Sequence, residues 1–257
     1  MHFIITDKND IHCSIKIKTG LNIGYFKIYK DINTLFLKDS DVYIRNVIIP
    51  SDSSVFYAYI DMKVSYKIIV NENKYHLYDP RTIRRFNINI MSKNYITKAF
   101  TNAHFRFFEF FKNINSQVNF VYYKYLVDDV SISGHVDVLE WLKRSGLPLS
   151  YSNHAMDFST TNNPIDVLNW WIKSGLPLKY SSEALINASH FNNINLLEWW
   201  KNSGLRLEYD WNKFIVCGSD VVKWWENSGL PINIIKNICH YNYYYLKIDS
   251  KNSSCDK

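Results

Sequence analysis

The pattern of hydrophobic residues changes near residue 92 and divides the chain into two parts. Before that point, β-branched and aromatic residues form short runs that end at Gly, Pro or Asn, which is typical of β-strands. The clearest runs cover residues 42–49, 55–60 and 64–70. The sequence Asn-Glu-Asn at residues 71–73 is turn-prone. We therefore expect a small, mostly antiparallel β domain over residues 1–92, with a turn at 71–73.

A motif of fixed period follows residue 92. Ser-Gly-Leu occurs four times, with successive spacings of 29, 29 and 25 residues. Each copy comes just after a tetrad of bulky residues, such as Leu-Glu-Trp-Trp at 197–200, and an aromatic tetrad at 108–111 marks an earlier unit. A fixed period of this size indicates stacked repeats, here pairs of helices. We expect five such repeats over residues 93–234, then a closing segment with a polar, disordered tail over residues 235–257.

The Ser-Gly-Leu motif predicts where the second helix of each repeat ends. Glycine adopts the left-handed conformation just past a helix without the strain that a Cβ brings, and the following leucine suits the apolar contact that closes such an end. We therefore predict a left-handed Gly175. The second helix is apolar over a face broader than a surface helix needs. Its tryptophans are thus expected to be mostly buried between repeats: Trp170, Trp171, Trp199 and Trp200.

The repeats resemble a known family. Residues 133–142 are similar to the core of an ankyrin repeat, in which Gly-His precedes paired Val and Leu positions, and the Leu-Glu-Trp-Trp-Lys-x-Ser-Gly-Leu pattern resembles the ankyrin-like repeats of giant DNA viruses of the mimivirus type. The period falls about four residues short of the usual 33, so the resemblance implies a trimmed hairpin finger. It implies an α+β protein: a small N-terminal β-rich domain followed by an all-α, ankyrin-like helical repeat solenoid, placed in the host cytoplasm.

Stacked helix pairs present an extended surface, and positions that differ between otherwise similar repeats carry recognition. We therefore expect a non-enzymatic protein–protein interaction module that binds a host or viral protein. The candidate partner-binding residues are the varying polar positions of the first helices: Asn153, His154, Asp157, Thr160, Ser182, Glu183, Asn187 and His190. As surface positions, four of them (153, 157, 183 and 187) are expected to tolerate combined substitution with folding nearly intact.

Charge adds one alternative function. The net charge is +6, with 13 Lys+Arg against 9 Asp+Glu in residues 1–92 and 13 against 13 in residues 93–234. Nucleic-acid binding needs a basic stripe on the binding surface, so the neutral repeat tract argues against it. The alternative is a basic N-terminal patch formed by Arg81, Arg84 and Arg85.

A second alternative is an enzyme in the N-terminal region. His12 with Cys13, or His76 with Asp79, could act together, although neither pair comes with a recognisable third group. A cleft that holds Cys13 with a perturbed pKa beside a base would favour this alternative, and a Cys13 packed in a dry β core would exclude it.

Few other partners or cofactors are expected. The four cysteines show no CxxC spacing and indicate reduced thiols in an intracellular protein, so no metal or other cofactor is predicted. The N-terminus has no signal-peptide pattern, and no apolar run is long enough to span a membrane.

Overall fold

The chain has an α+β fold that divides into two compact units, Met1–Tyr123 and Lys124–Lys257. The computed structural model describes residues 2–34, 37–59, 62–115, 125–160, 162–208 and 218–230. All strands among these residues belong to the first unit, and the described part of the second unit is helical. The expected first helix of the last repeat, near residues 214–217, and the tail at 235–257 lie outside the described residues.

The strands of the first unit are antiparallel, as expected. They are β1 (His2–Thr6), β2 (Ile11–His12), β3 (Ile15–Lys16), β4 (Gly20–Tyr29), β5 (Tyr43–Ile48), β6 (Val55–Tyr59) and β7 (Met62–His76). Five of them form a sheet in the order β4-β1-β5-β7-β6, in which β4 also pairs with β7, and β2 pairs with β3 as a separate hairpin. Inward-facing apolar side chains, among them Ile4, Phe26 and Ile68, form the core of the sheet.

The turn expected at residues 71–73 is not formed. Strand β7 continues through these residues, and its pairing with β5 shifts register between Arg45 and Val47, where β7 holds extra residues. The buried guanidinium of Arg45 donates a hydrogen bond of 3.0 Å to the carbonyl of Asn71 and another of 3.0 Å to Asp10. These bonds satisfy the irregular backbone, so the turn-prone residues form a bulge in a continuous strand.

The helices begin at residue 80. They are α1 (Pro80–Phe86), α2 (Lys93–Thr101), α3 (Phe105–Asn115), α4 (Leu126–Ser133), α5 (Val136–Arg144), α6 (His154–Asp157), α7 (Pro164–Ser174), α8 (Glu183–His190), α9 (Ile194–Asn202) and α10 (Ser219–Asn227). In the second unit the first helices α4, α6 and α8 contact one another in order, and so do the second helices α5, α7, α9 and α10.

The first helix pair, α2 with α3, belongs to the β-rich unit, whereas we expected a domain boundary at residue 92. Polar and aromatic contacts explain this grouping. The hydroxyl of Tyr95 donates to the carbonyl of Leu77 at 2.8 Å, and the ring of Tyr95 lies 4.9 Å from that of Tyr78. The main-chain N–H of Leu37 donates to the side chain of Asn94 at 2.8 Å. Helix α2 is therefore bound to the segments just before β5 and just after β7.

The four Ser-Gly-Leu motifs end their helices in the same way. Their glycines have φ angles between +72° and +77°, which confirms the left-handed conformation expected at Gly175. The serine hydroxyl before each glycine donates to the carbonyl three residues earlier at 2.7 Å, and it accepts the N–H of the leucine at 3.1–3.2 Å. The serine hydroxyl thus donates to a carbonyl of the last helical turn and provides an acceptor for the N–H of the leucine just past the helix.

Candidate functional site

The eight candidate positions of the first helices are divided between the surface and the interior. His154 and His190 are exposed, and four others are half-buried: Asn153, Ser182, Glu183 and Asn187. Asp157 is completely buried and Thr160 is 5% exposed, so the expectation that these two side chains line the surface is corrected. They face the interior because the first helices pack directly against one another.

Asp157 joins two neighbouring repeats. Its carboxylate accepts hydrogen bonds from the main-chain N–H of Ser181 at 2.9 Å, from the Ser181 hydroxyl at 2.6 Å and from the amide of Asn153 at 2.7 Å. The amide of Asn187 donates to the carbonyl of Asp157 at 3.0 Å. Burial raises the pKa of Asp157, although the donors from Ser181 and Asn153 oppose that rise. Substituting these residues together would remove bonds between repeats, so folding is not expected to remain intact.

Asp128 makes the equivalent bonds one repeat earlier. It accepts from the main-chain N–H of Ser152 at 2.9 Å and from the hydroxyl of Ser152 at 2.7 Å. An aspartate and a serine at matching positions in successive repeats therefore connect the first helices. The sequence predicts Asp157 as a polar surface position of a first helix, but the orientation of its side chain follows only from the packing of neighbouring repeats.

The second helices expose a different surface. The indole N–H of Trp170 donates to Glu140 at 2.9 Å, and that of Trp199 donates to Asn169 at 2.9 Å. Trp224 donates to Glu198 at 2.8 Å in the same way. Trp171 and Trp200 are fully buried, and Trp170 and Trp199 keep only a minor part of their surface exposed, so the prediction that all four are mostly buried is confirmed. These outer indoles lie between neighbouring second helices and remain partly open to solvent.

Two open grooves run along these outer indoles. The α5–α7 groove has a volume of about 760 Å³, and Asp137, Glu140, Asp166, Trp170 and Lys173 are among the residues that line it. The α7–α9 groove has a volume of about 520 Å³, and its lining includes Ile172, Glu198 and Trp199. Glu140, Trp170, Glu198 and Trp199 belong to the tetrads, whose pattern predicts a structural role and gives no sign of a groove.

The α5–α7 groove is acidic. Its lining contains the carboxylates of Asp137, Glu140 and Asp166 and one ammonium group, that of Lys173. Hydrogen bonds from Trp170 and Arg144 hold the pKa of Glu140 below its usual value. Asp137 and Asp166 lie in the first turns of α5 and α7, and both are exposed. The groove can therefore accept positively charged side chains.

A cleft in the first unit contains the pair His12 and Cys13. The cavity measures about 310 Å³. The Cys13 sulfur lies 3.3 Å from Nε2 of His12, and Nδ1 of His12 lies 2.6 Å from the carbonyl oxygen of Ile5. Because a carbonyl oxygen only accepts, Nδ1 carries a proton and the ring is held with Nε2 toward the sulfur. The hydrogen bond with His12 lowers the pKa of Cys13, against the opposing effect of burial.

The other candidate pair makes structural contacts. Nδ1 of His76 accepts the main-chain N–H of Tyr78 at 3.2 Å, and Asp79 caps helix α1 by accepting the N–H of Arg81 at 2.8 Å. Burial lowers the pKa of His76. His76 and Asp79 are therefore engaged by separate backbone groups.

The three arginines of the basic-patch alternative lie on α1 and are exposed. The guanidinium of Arg84 lies 5.4 Å from the ring centre of Phe110, and that of Arg85 lies 4.7 Å from the ring centre of Tyr75. Two of the three charges are thus placed over aromatic rings.

Within the described residues, no three His, Cys, Asp or Glu side chains come together in a way that could hold a metal ion. None of the helices in the described part of the chain is both long and apolar enough to cross a membrane. Comparisons with models of known families, with curated proteins and with solved structures gave no match for this chain.

Proposed function

We propose that this chain is a non-enzymatic protein-interaction module built on ankyrin-like repeats, and that it binds a basic segment of a host or viral protein in the α5–α7 groove. The observation that carries the proposal is the lining of that groove, in which three carboxylates and one ammonium group surround a half-buried indole. Arginine and lysine side chains interact favourably with both components, through charge-assisted hydrogen bonds and through cation–π contact.

The repeats favour the second-helix surface over the first-helix surface as the binding face. Bonds between repeats occupy Asn153, Asp157 and Asn187, which leaves His154 and His190 as the exposed candidates of the first helices. In the groove, Glu140 is already bound by Trp170 and Arg144. Asp137 accepts the main-chain N–H of Val138 at 2.9 Å and lies 3.8 Å from Nδ1 of His135. Because Asp137 and Asp166 are both exposed, they are the carboxylates that a partner can reach.

Selection of a displayed peptide library against the full chain tests this proposal. We expect the enriched peptides to contain arginine or lysine beside an apolar residue, and their affinity to fall with added salt. The double substitution Asp137→Asn and Asp166→Asn should weaken binding by at least about tenfold, since each removed carboxylate deletes a charge-assisted contact.

Asp220→Asn provides the matched control. Asp220 also lies in the first turn of a second helix, α10, but outside both grooves, so this change should leave the affinity unaltered. The double variant His154→Ala and His190→Ala reports on the first helices. Enrichment of peptides without basic residues, or full binding by the Asp137/Asp166 variant, would contradict the proposed groove. Loss of binding in the histidine variant alone would move the interface to the first helices.

A further inference from the structure

We propose that Cys13 is a thiol–disulfide exchange site, and that its cleft accepts small disulfides that carry carboxylate groups, such as oxidised glutathione. This inference concerns the first unit and does not depend on the function proposed for the repeats. It rests on the pairing of Cys13 with His12, on the cavity beside them, and on the charged side chains that line that cavity.

The backbone places the sulfur at the cleft. Cys13 and Ser14 form the two-residue turn of the β2–β3 hairpin, with φ angles of +48° and +67°. Hairpin turns with two positive φ angles strongly prefer Asn-Gly. Cys13 and Ser14 both carry a Cβ and are not favoured in this conformation, so the backbone of the turn is strained. Cys13 is exposed, whereas His12 is 5% exposed and anchored on the carbonyl of Ile5. A fixed, buried imidazole therefore faces an accessible sulfur.

The surroundings favour the thiolate, which is the attacking form in disulfide exchange. Besides the hydrogen bond with His12, a hydrogen bond from the main chain of Lys27 and the positive charge of Lys27 lower the pKa of Cys13. Burial, followed by the charge of Cys13 and that of Asp41, raises the pKa of Tyr29 to about 12. The hydroxyl of Tyr29 therefore stays protonated at neutral pH and can donate a hydrogen bond to a bound ligand.

The charges along the cleft select an anionic ligand. Lys27 and Lys38 are both exposed, and within the described residues neither ammonium group forms an ion pair. The carboxylates are already engaged. Asp7 accepts the main-chain N–H groups of Asn9 and Ile11, each at 2.8 Å.

Asp41 is engaged in the same way, because it accepts the main-chain N–H of Lys38 at 2.8 Å. Burial also raises the pKa of Asp41, which disfavours its charged form. Backbone N–H groups thus occupy both carboxylates, whereas the ammonium groups of Lys27 and Lys38 are available to contact the carboxylates of a ligand.

The reaction is a balanced exchange. The Cys13 thiol gives its proton to Nε2 of His12, and the thiolate attacks one sulfur of the disulfide RSSR. A new S–S bond forms between Cys13 and that sulfur while the S–S bond of RSSR breaks. The second sulfur leaves as RS⁻ and takes the proton from His12. Cys13 is oxidised to a mixed disulfide, and one RSH is released for each RSSR consumed.

The test compares three disulfides on the reduced full chain: anionic oxidised glutathione, neutral hydroxyethyl disulfide and cationic cystamine. Intact mass and peptide mapping measure the rate of adduct formation at each cysteine. We expect the Cys13 adduct to form before adducts at Cys217, Cys239 and Cys255, and oxidised glutathione to react at least about tenfold faster than cystamine. Cys13→Ser should abolish the early adduct.

Variants of exposed lysines separate charge selection from general reactivity. The double variant Lys27→Gln and Lys38→Gln should lose most of the preference for oxidised glutathione. Lys18→Gln removes an exposed charge that does not line the cleft, so this variant should keep the preference for oxidised glutathione. The same order of rates in all variants would overturn the proposed ligand class, and equal reaction at all four cysteines would overturn the site itself.

The activation of Cys13 is measured on the parent protein, and the role of His12 is measured on a variant. The rate of alkylation of Cys13 by iodoacetamide is measured as a function of pH. The midpoint of this curve should lie below about 8.5, the pKa of an ordinary thiol. A midpoint at or above that value would contradict the proposed activation. His12→Gln should raise the midpoint toward the ordinary value where circular dichroism shows a folded chain, and an unchanged midpoint in that folded variant would likewise reject it.

Discussion

At the scale of single residues, buried polar side chains carry the connections between repeats. Asp157 is the clearest case, because three donors from the adjacent turn and the next repeat converge on one carboxylate that has no exposed surface. A buried donor or acceptor without its partner costs about 1–3 kcal/mol, and more when the lost group is charged. The stability of the second unit should therefore respond strongly to this one side chain.

Asp157→Ala is expected to lower the free energy of unfolding of the second unit by about 2–4 kcal/mol, since it leaves the N–H and the hydroxyl of Ser181 without their acceptor. Urea denaturation followed by tryptophan emission measures the change. Glu208→Ala, at an exposed position, is the control and should stay within about 0.5 kcal/mol of the parent. Equal effects of the two substitutions would mean that the Asp157 bonds contribute nothing net.

At the scale of elements, two helix ends have the same backbone conformation but different amounts of free space around their glycines. Gly134 and Gly175 both follow helices with left-handed φ angles, +84° and +73°. A Cβ at Gly175 would meet no atom within 4 Å, but a Cβ at Gly134 would lie 2.4 Å from the carbonyl oxygen of Asn162. A side chain at Gly175 would therefore meet only backbone strain, whereas a side chain at Gly134 would meet the same strain and a clash with the backbone of Asn162.

We therefore expect Gly175→Ala to destabilise the second unit by about 1 kcal/mol and Gly134→Ala by about 2–4 kcal/mol. Both variants are measured by the same urea titration. Equal losses would show that the backbone near Asn162 moves freely to accommodate a methyl group.

The elements also show what can be predicted from sequence alone. The strands β5 and β6 and the ends of the second helices follow from local alternation and from glycine, because the causes lie within a few residues. The continuity of β7 depends on Arg45, which donates to Asn71 from 26 residues away. The burial of Asp157 depends on Ser181 in the next repeat. Such long-range partners override local preferences.

The candidate sites follow the same rule. The adjacent residues His12 and Cys13 are recognisable as a pair in the sequence, whereas Lys27, Lys38 and Asp41 reach the cleft from other segments. The α5–α7 groove likewise exists only where two repeats meet. Neither charge arrangement is visible before the chain is folded.

At the scale of the whole molecule, the two units carry different spectroscopic and titratable groups. All eight tryptophans lie between Trp141 and Trp225, in the second unit. The first unit instead contains His104, whose ring stacks on Tyr78 at 4.0 Å. Burial, with a smaller contribution from the charge of His76, lowers the pKa of His104 to about 4. Acid should therefore destabilise the first unit through protonation of His104 in the unfolded chain.

The expected direction follows from proton binding. Above pH 6.5, His104 is neutral in both the folded and the unfolded chain, and its contribution to stability is complete. Between pH 6.5 and about 4 the unfolded chain binds a proton that the folded chain does not, so the first unit loses stability as the pH falls. Because the imidazole is partly exposed, we expect a loss of about 1–2 kcal/mol, less than the full shift implies. Hydrogen exchange of peptides from β5 and β7, corrected for intrinsic rates, measures it.

His104→Phe keeps an aromatic ring against Tyr78 but removes the titrating group, so it should flatten this pH dependence. Burial also lowers the pKa of His76, so a smaller dependence of the same sign should remain in the variant. Tryptophan emission reports the second unit and should show no matching difference between the parent and His104→Phe. Protection of β5 and β7 that is equally pH-dependent in both proteins would exclude His104 as the group responsible, because the stacked ring would be the same and only the proton site would differ.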